Sequence, residues 1–363
     1  MRNKLANALV VLFCFPFLVL NSYSQDNLVI GFNAHYGFIW AHHPEIQYVI
    51  QGHIPAFEIN IAKPTYGDKI WQQRYHYPDM GICFLHVDLG NPAILGNADA
   101  ISGYMNFPLV SERKFNLNFR VGAGIAYLTK KFDRLDDHKN MVIGSHIDGT
   151  ANLRLNTKIH LSDHLIMEAG LGMTHFSNGA FALPNLGLNI PTVNLGASYI
   201  LGKKHEKIVT DTIISINKKM EYLVYVTGGV TEINPPGSNK YFAYTFSFVA
   251  GKRLTYMSRF NLGLDFFYNP ANIKNLKQDT ITLSNNLQNV QVGIKLGYEL
   301  VISRLSIPIE MGTFLYTKYT GSGYLYHRLG LRYRITEHII ANVTLKTFWA
   351  KADYIEWGGA YRF

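Results

Sequence analysis

The sequence predicts an all-β protein, an antiparallel transmembrane β-barrel of about 14–16 strands in one chain, as one sheet or as two related eight-strand halves. Three observations carry this. Apolar residues alternate with polar residues or glycine at period two along much of the chain. The alternating runs are roughly ten residues or longer, which suits a tilted membrane-crossing strand better than the shorter strands of soluble proteins. The composition is 13% aromatic with 23 Tyr, 22 Phe and 31 Gly, against only 16% charged residues, a balance suited to a Tyr- and Gly-rich β protein rather than a soluble helical enzyme.

The first residues, 1–24, read as a secretory signal peptide. Arg2 and Lys4 give a basic start, an apolar run extends from Ala6 to Leu20, and Ser22 and Ser24 place small residues before a cut at Gln25. An N-terminal membrane anchor is the competing reading, but the run is short for a span. After removal of the segment holding Cys14, only Cys83 remains, which excludes an intrachain disulfide. The formal charge of +9 falls to +7 without Arg2 and Lys4. That balance suits an anionic surface and is too weak to argue for nucleic acid.

The strands follow in order. In residues 115–127, Phe115, Leu117, Phe119, Val121, Ala123, Ile125 and Tyr127 form one face, and Asn116, Asn118, Arg120, Gly122 and Gly124 lie on the other. Residues 165–177 put Leu165, Met167, Ala169, Leu171 and Met173 opposite Ile166, Glu168, Gly170, Gly172 and Thr174. The next strand, from about Leu188, shows Val193, Leu195, Ala197, Tyr199 and Leu201 on its apolar face. The same pattern recurs in 290–300 and 305–315. A soluble β-sandwich would alternate too. In a bilayer such strands must close into a barrel, because unpaired backbone groups are intolerable in hydrocarbon; apolar residues then face lipid and polar residues face the lumen. The chain ends with Trp357, Gly359, Tyr361 and a terminal Phe363 on one face, similar to the last strand of bacterial outer-membrane proteins.

Eight strand candidates fall between 27 and 202 and eight more between 220 and 363, separated by a charged turn or linker at 203–219. One large barrel is the favoured closure. The segment 161–166, LSDHLI, aligns with 335–340, ITEHII, and on that offset Trp349 and Lys351 stand where the first half has His175 and Ser177. The domain expectation is therefore 25–202 as the half carrying the site and 220–363 as a second barrel half.

The candidate site is the string T-H-F-S-N-G at 174–179. By parity His175 and Ser177 continue the outward, apolar row of their strand, and counting back along the next strand puts Asn189 on the same outward side. An imidazole beside a hydroxyl can act as a base–nucleophile pair, and an amide can orient the ring. The backbone amides of Asn178 and Gly179, with the Asn178 side chain, are candidate oxyanion donors, and Gly179 allows the backbone to bend. Such residues could instead simply mark where a strand leaves the membrane. His42-His43 reads as an exposed loop, since no spaced metal partners accompany it. Glu168, Asp265, Lys295 and Glu299 are expected to fill the lumen.

The string His175-x-Ser177-Asn178-Gly179, followed by Pro184-Asn185-x-Gly187, resembles the lipid A 3-O-deacylase family of outer-membrane barrels. In that family an acidic residue follows 14 positions after the His; here the position holds Asn189, which makes the pattern similar also to outer-membrane phospholipase A. The phospholipase has an Arg after its Gly and uses calcium; Ala180 stands there in this chain, so no metal and no cofactor are expected. The resemblance implies an acyl-ester hydrolase of the bacterial outer membrane, with Ser177 as nucleophile, His175 as base and Asn189 as orienting residue. Its partner would be lipid A of lipopolysaccharide or a phospholipid of the outer leaflet, with oligomeric state left open. A porin or structural barrel keeping a relic motif is the non-enzymatic alternative.

Overall fold

A computed structural model describes residues 27–202, 205–210, 215–320, 323–349 and 351–363. The expected signal peptide lies outside them. The chain forms two compact units, each built on a closed antiparallel barrel of eight strands. The first contains β1 (Leu28–Gly37), β2 (Ile54–Lys63), β3 (Asp79–Asp88), β4 (Asn97–Ser111), β5 (Phe115–Leu128), β6 (Ile147–His160), β7 (Leu165–Ser177) and β8 (Leu188–Leu201). The second contains β9 (Met220–Glu232), β10 (Lys240–Arg253), β11 (Ser258–Tyr268), β12 (Val290–Ile302), β13 (Leu305–Tyr316), β14 (Leu325–Arg334), β15 (Ile339–Phe348) and β16 (Lys351–Arg362). Short helices sit in three loops: α1 (Pro44–Gln47), α2 (Ile70–Arg74) and α3 (Pro270–Gln278). No described helix is long and apolar enough to cross a membrane.

The expected all-β class and the sixteen strands are present, but the closure differs from the single sheet favoured above. β8 pairs back onto β1, with Leu201 opposite Leu28 and Val193 opposite Tyr36. β16 pairs onto β9, with Tyr361 opposite Val224. The same alternation serves either closure, so periodicity alone does not separate them. The described residues of 203–219 lie outside the strands.

The faces are inverted relative to a water-soluble protein. On β8, Val193, Leu195, Tyr199 and Leu201 are exposed, while Asn194 and Ser198 are buried. On β7, Leu165, Met167 and Leu171 are exposed and Glu168 is buried. Continuous apolar exterior with polar interior is stable where the exterior solvent is hydrocarbon. The lumen of the first barrel is filled by side chains. Glu58 accepts from Arg120 at 2.7 Å and from Arg154 Nη1 at 3.1 Å; Lys158 bonds Asp79 at 2.7 Å; Glu168 accepts from Ser198 at 2.6 Å and Asn156 at 2.8 Å. In the second barrel, Arg328 joins Asp265 at 2.7 Å to Glu356 at 2.6 Å, and Lys295 and Arg332 each bond Glu310 at 2.8 Å. Glu168, Asp265, Lys295 and Glu299 are thus lumenal, as expected. Buried charges need such pairing, and eight strands leave an interior that side chains can fill.

The two aligned turns fold alike. Ser162 Oγ accepts from the amides of His164 and Leu165 at 3.3 and 3.0 Å. Thr336 Oγ1 accepts from His338 and Ile339 at 3.2 and 2.9 Å. His164 Nδ1 lies 2.9 Å from the Ile200 carbonyl, and His338 Nδ1 2.8 Å from that of Arg362. The rings stack on Tyr199 and Tyr361 respectively. The short sequence match between the halves is therefore also a match of local structure.

Candidate active site

The site lies at the end of β7 and the start of β8, at the opposite end of the first barrel from the Ser162 turn. Above the polar lumen this end is closed by an apolar cap. Ile39, Ile46, Val49, Leu89, Leu95, Val142 and Ile143 from the loops pack with Leu128, Phe176, Leu188 and Ile190 from the strands. Phe176 and Leu188 point inward into this cap, and the period-two rule then turns their neighbours His175, Ser177 and Asn189 outward. All three are half-buried rather than open.

His175 and Asn189 are direct partners across the β7–β8 ladder. His175 Nδ1 lies 2.7 Å from Asn189 Oδ1. A carboxamide oxygen only accepts, so Nδ1 carries the proton and Nε2 presents its lone pair. Ser177 sits two residues further along the same face, a rise of roughly 6.6 Å that an imidazole can bridge. The parity argument placed these three residues on one side, and they share it.

After Ser177 the chain turns sharply. Gly179 has φ +63° and Ala180 φ +65°, left-handed values that glycine accepts without cost. The Asn178 backbone N–H donates to Asn185 Oδ1 at 3.0 Å, and Asn178 Oδ1 accepts from the Ala182 amide at 3.2 Å. Asn178 Nδ2 is buried without a hydrogen-bond partner. Of the expected oxyanion donors at Asn178, the backbone N–H is therefore engaged and the side-chain Nδ2 is unspent.

Two residues that sequence reasoning did not place at the site stand beside it. Gly187 has φ +75°, and a Cβ there would lie 2.9 Å from His175 Cε1. The returning hairpin thus packs its backbone against the imidazole edge. His42, expected in an exposed loop, is half-buried. Its Nδ1 lies 3.2 Å from Asn189 Nδ2 and its Nε2 3.1 Å from the Leu186 carbonyl. The P-N-L-G string flagged the glycine without its reason; His42 contacts Asn189 across 147 positions, which no local pattern reveals. Among the described residues no cluster of His, Cys, Asp and Glu forms a metal cage.

Comparison with known proteins gives two family matches. Residues 56–198 match the model for lipid A 3-O-deacylase, and residues 220–363 match that for the acyloxyacyl hydrolase C-terminal domain. No curated protein matches the chain in sequence. Among solved structures, Neisserial surface protein A has a TM-score of 0.29 at 9% identity, with 49% of this chain and 97% of that chain covered. The siderophore receptor PirA from Pseudomonas aeruginosa has a TM-score of 0.24 at 8% identity, covering 90% and 56%. A mutant of the Rh. blastica porin has a TM-score of 0.18 at 8% identity, covering 93% and 99%. The fold itself rests on the strand pairing described above.

Proposed function

The chain belongs to the lipid A 3-O-deacylase family, carrying that family's domain in its first barrel and an acyloxyacyl hydrolase C-terminal domain in its second, and from this premise we propose that it is an outer-membrane hydrolase that removes an ester-linked acyl chain from lipid A. The observation that carries the reading is the 2.7 Å bond from His175 Nδ1 to Asn189 Oδ1 on the lipid-facing side of β7 and β8, with Ser177 on the same face.

The Ser177 hydroxyl attacks the ester carbonyl while its proton passes to His175 Nε2. Asn189 holds the ring in the tautomer that leaves this nitrogen basic and stabilises the imidazolium. Gly179 N–H and Asn178 Nδ2, which has no hydrogen-bond partner, are the donors assigned to the oxyanion. Collapse breaks the bond to the sugar oxygen, which takes the proton from His175 and leaves as the hydroxyl. Water then adds to the acyl-enzyme with His175 again as base, His175 returns that proton to the Ser177 oxygen, and the fatty acid leaves. No metal or cofactor enters this scheme. His175, Ser177 and Asn189 point outward from β7 and β8, which would let an acyl chain meet them without leaving the outer leaflet. We assign the chemistry to 25–202; the aligned positions of 220–363, Trp349 and Lys351, supply no such pair.

Asn at 189, where the family pattern has an acid, favours outer-membrane phospholipase A as the second reading. The test is incubation of detergent-purified wild type and Ser177→Ala with lipid A and, separately, phosphatidylethanolamine, with released acids identified by mass spectrometry. Release of 3-hydroxy acyl chains from lipid A by wild type alone is the expected result. Release from the phospholipid alone supports the second reading. Release by Ser177→Ala overturns the role of Ser177, and none by either folded protein overturns the hydrolase.

A further inference from the structure

The orienting amide is itself oriented. An amide beside an imidazole can present either its oxygen or its NH2 group, and the two choices give opposite tautomers of the ring. With Oδ1 toward His175, Nδ1 is the protonated nitrogen and Nε2 the base. With Nδ2 toward His175, Nε2 would hold the proton and could not take one from Ser177. A carboxylate has no such ambiguity, because both oxygens accept. A chain with Asn at this position therefore needs something that discriminates the two ends of the amide.

We propose that His42 is that element, a positioning residue that fixes the Asn189 amide and through it the His175 tautomer. This rests on the catalytic role proposed above for His175 and Asn189. His42 Nδ1 faces Asn189 Nδ2 at 3.2 Å. Its Nε2 faces the Leu186 carbonyl at 3.1 Å, which accepts only. The tautomer with the proton on Nε2 satisfies both contacts: Nε2–H donates to Leu186, and Nδ1 accepts from the amide. The Trp40 carbonyl also lies 3.1 Å from Nδ1, but it already accepts from the His42 backbone N–H at 2.9 Å. The Leu186 carbonyl therefore selects the Nε2–H tautomer, and the lone pair left on Nδ1 selects the NH2 end of Asn189.

The fold holds His42 in place for this. Past β1, the backbone continues the ladder with β8: Phe38 N–H donates to the Pro191 carbonyl at 3.3 Å and Trp40 N–H to the Asn189 carbonyl at 2.8 Å. The loop then turns into α1, whose Ile46, with Ile39 and Val49, is buried in the apolar cap. Leu186 is tied to Val142 by a 3.2 Å amide bond. His42 is suspended between two anchored backbones with its ring edge toward the site.

A double-mutant cycle in the full-length protein tests this. His42→Ala is expected to lower kcat on lipid A by roughly tenfold, the rate equivalent of one hydrogen bond, with KM unchanged. His42→Gln offers an oxygen to Asn189 and an NH2 group to Leu186, and should recover most of that loss. In an Asn189→Asp background, whatever its own rate, adding His42→Ala should change kcat less than about twofold, because a carboxylate needs no orienting donor. Equal loss in both backgrounds would mean a structural role and overturn the proposal. A readout independent of turnover uses 15N-labelled histidine, with the His175 signals assigned by His175→Gln. Wild type should show the Nδ1–H tautomer, and His42→Ala a mixture. An unchanged His175 tautomer in folded His42→Ala overturns the proposal even if the hydrolase stands. A tautomer shift in a protein whose hydrolysis ignores Ser177 supports the positioning contact while refuting the catalytic reading.

Discussion

At the residue scale, the site depends on how tightly the imidazole is held. Gly187 bears on this directly, since a methyl group there would meet His175 Cε1 at 2.9 Å in a backbone conformation with φ +75°. Gly187→Ala should push the ring from its place and lower kcat on lipid A by at least about tenfold without unfolding the barrel, because misplacing a catalytic group by an ångström is costly. Unchanged kcat would mean that the ring has slack. Asn189→Ala removes the acceptor at 2.7 Å from Nδ1 and should lower kcat by a factor of about a hundred or more, while Asn189→Asp should retain more activity than Asn189→Ala. The reverse order would exclude an orienting role. The shared face of His175, Ser177 and Asn189 was legible in the sequence because strand parity fixes which way each points. The contact of Gly187 with the ring and the place of His42 were not. The need at Gly187 is a positive φ and a close approach, and the place of His42 is set by a loop packed far away in sequence.

At the element scale, the alternation that marked each strand is the physics of a two-solvent environment. Each strand turns one row of side chains to hydrocarbon and one to a lumen of paired charges. Leu195, in the middle of β8, is 61% exposed. On a water-soluble protein, Leu195→Arg would be nearly neutral. On a lipid face it should destabilise the protein in liposomes by about 2–4 kcal/mol, measured by the urea midpoint of its heat-modifiable gel shift. An unchanged midpoint would remove β8 from the bilayer. The faces of β5, β7, β8, β12 and β13 could be read from the sequence, since burial follows period two in each. The shape of the loops could not. The β7–β8 loop spans 178–187, whereas β15 ends at Phe348 and β16 begins at Lys351. The aligned Trp349 follows directly on β15 with φ +52°, in a much shorter connection than the one that carries the candidate site.

At the scale of the whole molecule, sixteen strands could have enclosed one wide channel. Closure into two eight-stranded barrels, each lumen packed with ion pairs such as Glu58 with Arg120 and Asp265 with Arg328, leaves no such channel in either barrel. The protein should show no steady conductance in planar bilayers. Regular single-channel steps would restore the transport reading. Strand number and class were visible in the sequence, but closure was not: which strand finds which partner edge is a tertiary decision that leaves the alternation unchanged. The charged stretch at 203–219 and the repeated S/T-x-H turn were the signals that pointed to two halves. The most direct test of the central claim, a lipid-facing serine nucleophile in the first barrel, is covalent trapping. Detergent-purified protein would be treated with a long-chain fluorophosphonate and the adduct mapped by mass spectrometry. A single adduct on Ser177 that disappears in His175→Ala is the predicted result. No adduct on Ser177, or one that survives loss of His175, would contradict it.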